Sequence, residues 1–116
     1  MQMFIPCLKT KLRLTKDWAF TLFCEARNRS LWDLKGNTTK YFDISWEHRK
    51  NNVTVICLHK GDVLSVERVY IRKDQAGYNS ITLRGQVDHN GETETVRFWV
   101  VLNEFNLMHA EVIDDG

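Results

Sequence analysis

A single proline, Pro6, and six glycines are all that punctuate this chain of 116 residues. It therefore lacks the Pro/Gly-rich, repetitive and low-complexity stretches that mark linkers and solenoids. A domain most often runs to about 100 to 150 residues, so residues 1–116 read as one domain with one core. Long apolar runs are missing too. The longest, Phe98 to Leu102, is strand-sized, far short of the roughly 18 residues that span a bilayer. The opening MQMFIPCLKTK has no basic residue ahead of its short apolar stretch and does not read as a secretory signal, so an intracellular location is expected.

Cysteine is scarce and odd in number: Cys7, Cys24 and Cys57 are spaced too widely for a zinc pattern and suit reduced thiols. The Asn-x-Ser/Thr triplets starting at Asn28, Asn37 and Asn52 are then expected to carry no glycan. Catalytic signatures are also absent. There is no Gly-rich phosphate loop, no HExxH and no G-x-S-x-G elbow, and no motif calls for a cofactor. The histidines His48, His59, His89 and His109 are isolated. Cys57 and His59 point the same way from a strand end, but two ligands are too few for a structural zinc site. Asp88, Glu92 and Glu94 cluster at one turn, where solvated charge is the ordinary explanation.

Neither sign of charge dominates the whole chain, whose net charge is +1. Residues 1–58 hold ten Lys/Arg against five Asp/Glu, and residues 59–116 hold six against ten, giving halves of +5 and −4. Both an acidic DNA mimic and a uniformly basic DNA binder are disfavoured. A local basic face remains open.

What is present is a period of two. Leu8, Leu12 and Leu14 alternate with Lys9, Lys11 and Arg13, and Trp18, Phe20, Leu22 and Cys24 repeat the pattern. Phe42, Ile44 and Trp46, then Val53, Val55 and Cys57, read as further apolar strand faces. Between Val63 and Arg72 the apolar parity shifts from Leu64 and Val66 to Val69 and Ile71. A bulge or sharp bend near Glu67 and Arg68 would produce that shift. The pair Asn90 and Gly91 suits a type I′ turn, which would set Gly85 opposite Val96, Leu83 opposite Phe98 and Ile81 opposite Val100. Helical periodicity is weak, with a short turn over Leu102 to Leu107 before a last strand around Met108 to Ile113.

These elements predict an all-β fold, a small partly open barrel or a strongly bent antiparallel sheet. The Src-homology-3-like barrel is the nearest common architecture, ahead of an oligonucleotide/oligosaccharide-binding barrel. The strings LKTKLRLTKDWAFTL, GDVLSVERVYIR, YNSITLR and RFWVVLNEFN resemble small bacteriophage-encoded accessory proteins of unknown function. The resemblance implies a protein acting in the cytoplasm of an infected bacterium. It brings no catalytic or binding residues with it.

Three surface constellations stand out. On the outer face of the hairpin the register sets Arg84 opposite Arg97 and Thr82 opposite Trp99; like charges directly opposed are unfavourable, and Arg and Trp dominate interface energetics. Either this is a docking face or Trp99 lies under a loop while the arginines splay into water. The stripe of Lys9, Lys11, Arg13 and Lys16 would track a phosphate backbone or protect an edge strand against aggregation, the second being favoured. Arg27, Arg29 and Trp32, read as a loop, would stack on a base or fill a partner's pocket, unless Trp32 plugs the end of a barrel. The leading expectation is a non-enzymatic protein that binds a bacterial host protein and modulates or inhibits it. The alternative is a single-stranded nucleic-acid binder, and a small enzyme is a minor third.

Overall fold

The computed structural model describes residues 8–35, 45, 47, 52–71 and 79–113, and it is mostly β. Strands β1 (Lys11–Leu14) and β2 (Trp18–Phe23) lead into a 3₁₀ turn, Ala26–Asn28, and a two-turn helix α1 (Arg29–Lys35). Then follow β3 (Val53–Leu58), β4 (Val63–Tyr70), β5 (Ser80–His89), β6 (Glu92–Val101), the one-turn helix α2 (Leu102–Phe105) and β7 (Ala110–Ile113). Five strands form an antiparallel sheet in the order β6-β5-β4-β1-β7, and β2 pairs with β3 in a separate two-stranded ribbon. Among the described residues the sheets are antiparallel and open, with no closed barrel.

The Asn90–Gly91 turn sets the register of the long hairpin. Both residues have positive φ, 54° and 84°, as a type I′ turn requires. Leu83 consequently faces Phe98, Gly85 faces Val96, and Arg84 faces Arg97. Gly85 lies on the buried face, where an added Cβ would come within 2.8 Å of the Leu64 side chain, so its missing side chain leaves room for a neighbouring strand's leucine. The parity shift in β4 is a bulge between Val66 and Arg68, with Glu67 as the extra residue.

The two sheets meet through their apolar faces. Phe20 of β2 stacks on Phe98 of β6 at 5.3 Å between ring centroids, and Trp18 packs on Phe20 at 4.2 Å. The Trp18 indole N–H also donates to the Glu104 carbonyl of α2 (3.2 Å). Leu12, Leu64, Leu83 and Leu102 complete a single core. Among the described residues no helix is long and apolar enough to cross a membrane.

Four sequence expectations are corrected. In β3 the buried residues are Thr54, Ile56 and Leu58, whereas Val53, Val55 and Cys57 are exposed. The run VTVICL is nearly apolar at both parities. Pairing with β2, which sets Phe20 opposite Ile56 and Trp18 opposite Leu58, decides which set goes inward. Leu8 is exposed because Lys9, at φ 67°, turns the chain before β1 begins. The segment carrying Arg27, Arg29 and Trp32 is not a loop but the 3₁₀ turn and α1. Finally, β1 is no edge strand, since β4 and β7 flank it, so its lysines do not guard an edge. The expected strand through Phe42, Ile44 and Trp46 falls outside the described residues, apart from Ser45.

These placements make opposite predictions for two residues in otherwise similar sequence contexts. Phe98→Ala should lose about 3 to 5 kcal/mol of unfolding free energy in urea titration. Val55→Ala, on the exposed face, should stay within about 0.5 kcal/mol. The reverse order would mean that the face assignments are wrong.

Candidate binding surface

The bulge in β4 has an electrostatic consequence on the outer face of the five-stranded sheet. Arg97 and Arg84 do lie directly opposite each other, but their repulsion is relieved from within. Glu67, re-aimed by the extra residue as bulges commonly do, receives Arg84 Nε at 3.0 Å and Arg97 Nε at 2.6 Å on its two carboxylate oxygens. The sequence offered Glu67 only as the site of a bend. Its role as the arginines' shared counter-ion depends on a third strand that a hairpin register does not contain.

The row continues across the sheet. Arg84 faces Ser65, Ser65 faces Lys11, and Lys11 faces Ile113. Arg97, Arg84, Ser65 and Lys11 thus form one line across four strands. Two adjoining clefts follow it, of about 550 and 480 Å³, with Lys11, Ser65 and Arg84 common to both. The larger adds Lys9 and Arg68 at its rim and Leu8 and Val66 as apolar lining. Among the described residues five cations, Lys9, Lys11, Arg68, Arg84 and Arg97, line it against one anion, Glu67, an excess of four positive charges. Of the remaining basic stripe, Arg13 is paired with Glu111 at 3.2 Å, and Lys16 is exposed in the β1–β2 turn.

Trp99 does not project freely beside these arginines. Its ring stacks on Phe23 of β2 at 5.1 Å, its indole N–H donates to Glu25 Oε2, and the Arg27 guanidinium lies 5.5 Å above it. Arg27 in turn donates to both Glu25 oxygens, at 2.9 and 3.1 Å. Burial pushes the Glu25 carboxyl up, but the hydrogen bonds from Arg27 and Trp99 outweigh it and hold the group below its ordinary 4.5. Trp32 is a core residue, 3 % exposed, and Arg29 pairs with Asp33 one turn on at 3.5 Å. The structure therefore gathers Lys9, Lys11, Arg84 and Arg97 on one cleft. It places Arg27 and Trp99 in a separate packed cluster and Trp32 inside the molecule.

No family model, curated protein or solved structure matches this chain.

The Glu25 cluster yields a pH prediction. A carboxyl whose folded pKa is depressed contributes stability in full above its unfolded value and loses it as pH falls through the folded one. The Glu25 contribution is therefore complete near neutrality and decays below 4.5. Glu25→Gln should lower stability near neutrality and narrow its gap to the parent as the pH is taken below that value, followed by urea titration. A gap that widens in acid would contradict the assignment.

Proposed function

We propose that the protein is a non-enzymatic binding protein that receives an acidic segment of a partner protein in the cleft over Arg84 and Lys11. The observation that carries this reading is the line of Arg97, Arg84, Ser65 and Lys11 across four paired strands. A sheet holds such a row rigidly, so the cationic groups stand close to their binding positions before a partner arrives, and less ordering entropy is lost on binding. Each guanidinium carries five N–H donors, whereas one carboxylate offers about four acceptor sites. Glu67 alone does not saturate both arginines, and carboxylates from a partner would add charge-assisted hydrogen bonds. Leu8, exposed at the same cleft, supplies apolar contact that such bonds lack.

The placement of Trp32 and Trp99 favours a protein partner over single-stranded nucleic acid. Sequence-tolerant binding of single strands relies on accessible aromatic faces interleaved with cations. Trp32 is in the core and Trp99 is stacked on Phe23, so neither is presented to a base. In this reading the partner is a bacterial host protein whose activity is modulated or inhibited, in keeping with the resemblance to phage accessory proteins.

The test uses a fluorescently labelled glutamate-rich peptide and anisotropy. Binding should be saturable and should weaken as salt is raised. Arg84→Glu should reduce affinity at least about tenfold, equivalent to about 1.4 kcal/mol, with an unchanged melting temperature. Equal affinity of the folded variant would contradict the proposal. So would a clear preference for a single-stranded oligonucleotide over the peptide.

A further inference from the structure

At the end of the sheet ribbon opposite the Asn28 turn, a second cluster takes shape that the cleft does not use. Trp18 faces Leu58 and Ala19 faces Cys57 in the β2–β3 register. Extending that ladder by one step sets Asp17, just before β2, beside His59, just after β3. Asp17, Cys57 and His59 are all exposed, and their ligand atoms lie within 4.8 Å of one another. The His59 Nδ1 to Asp17 Oδ1 distance is 3.9 Å. Sequence alone offered Cys57 and His59 as a pair, too few for a structural zinc site, because Asp17 stands forty residues upstream of Cys57 and no turn signal ties the two strands together.

The backbone around the cluster is fixed. His59 opens a turn closed by the Asp62 N–H donating to its carbonyl (3.0 Å), with Gly61 at φ 98°. The His59 N–H donates to Asp62 Oδ2 at 3.0 Å, and Asp62 is buried. Gly61 N–H and Asp62 C=O are both bonded to Leu14 at the end of β1. The Asp17 carboxylate accepts the Lys60 backbone N–H at 2.8 Å, the kind of outer contact that orients a ligating carboxylate. His59 thus opens a turn tied to the main sheet through Leu14, Cys57 lies on the ribbon strand β3, and Asp17 is hydrogen-bonded to the turn at Lys60.

We propose that Asp17, Cys57 and His59 form a three-ligand transition-metal site that takes zinc, with water in the fourth position. One sulfur, one imidazole nitrogen and one carboxylate oxygen suit zinc and cobalt rather than magnesium or calcium, which prefer all-oxygen shells. With metal–ligand bonds of about 2.0 to 2.3 Å, tetrahedral ligands lie about 3.4 to 3.6 Å apart. Exposed side chains close the remaining gap by rotation about their own bonds, on the picosecond-to-nanosecond timescale. Cys57 binds as the thiolate, its proton passing to solvent as the metal–sulfur bond forms.

The experiment titrates tag-free full-length protein with Co²⁺, following the thiolate-to-cobalt charge-transfer band and the visible bands of tetrahedral cobalt. The expected result is uptake saturating at a single equivalent and reversed by Zn²⁺. Cys57→Ser should abolish the charge-transfer band, and Cys7→Ser should leave it intact. His59→Gln and Asp17→Asn should each weaken binding at least about tenfold, the asparagine retaining an oxygen to accept the Lys60 N–H. Circular dichroism and a melting curve confirm that each variant is folded. Absence of saturable uptake, a band surviving Cys57→Ser, or unchanged affinity in folded Asp17→Asn would each overturn the site.

Discussion

The arrangement of the two sheets depends on one buried side chain, Asn28. Wholly inaccessible at the end of the 3₁₀ turn, it donates through Nδ2 to the Phe23 carbonyl at 2.9 Å and accepts the Trp99 backbone N–H on Oδ1 at 2.7 Å. Phe23 ends β2 in the ribbon, and Trp99 lies on the edge strand β6 of the main sheet. One amide therefore joins the two sheets, and it satisfies a backbone group at each end. Two residues on, the Ser30 hydroxyl accepts the Arg97 N–H at 3.0 Å and donates to the Arg97 carbonyl at 3.1 Å. Between them Asn28 and Ser30 meet three backbone groups along the outer edge of β6. An edge strand left with such groups open is a template for aggregation, and here a helical segment covers it through its side chains.

That clasp shapes the surface that the proposed function uses. Drawing β2 against β6 brings Phe23 onto Trp99 and leaves Glu25 and Arg27 to complete the cluster, which leaves the tryptophan half-buried. The same edge contact lies over Arg97, whose side chain turns instead toward Glu67 and the cleft. Each arginine of the opposed pair is thus held by an internal carboxylate, and the cationic row runs inward from Arg84 to Lys11 and away from the covered edge.

Much of this was legible in the sequence where a single local signal was decisive. Asn90 and Gly91 specify their turn by φ alone, so the register of β5 and β6 followed down to the Arg84–Arg97 and Thr82–Trp99 pairs. The parity shift at Glu67 likewise marked a bulge that is present. What stayed hidden depends on contacts between segments distant in the chain. The triplet Asn28-Arg29-Ser30 matches a glycosylation pattern by letter, yet its Asn28 and Ser30 are the residues spent on the β6 edge, about seventy residues away. The β3 face was misread because Thr54 goes inward while two valines go outward, a choice made by the pairing with β2. The place of β1 inside the sheet could not be seen from its lysines, since an interior strand with one wet face shows the same alternation as an edge strand.

The most direct test is Asn28→Ala, followed by urea titration and by hydrogen exchange at the Trp99 amide. The substitution leaves the Trp99 N–H without its partner, while the Phe23 C=O keeps the Glu25 N–H at 2.9 Å, and an unsatisfied buried polar group costs about 1 to 3 kcal/mol. The account predicts a loss of about 2 kcal/mol or more, together with Trp99 amide exchange accelerated beyond what that global loss explains. A loss below about 0.5 kcal/mol, the range of an ordinary surface substitution, with the Trp99 amide still protected, would contradict it.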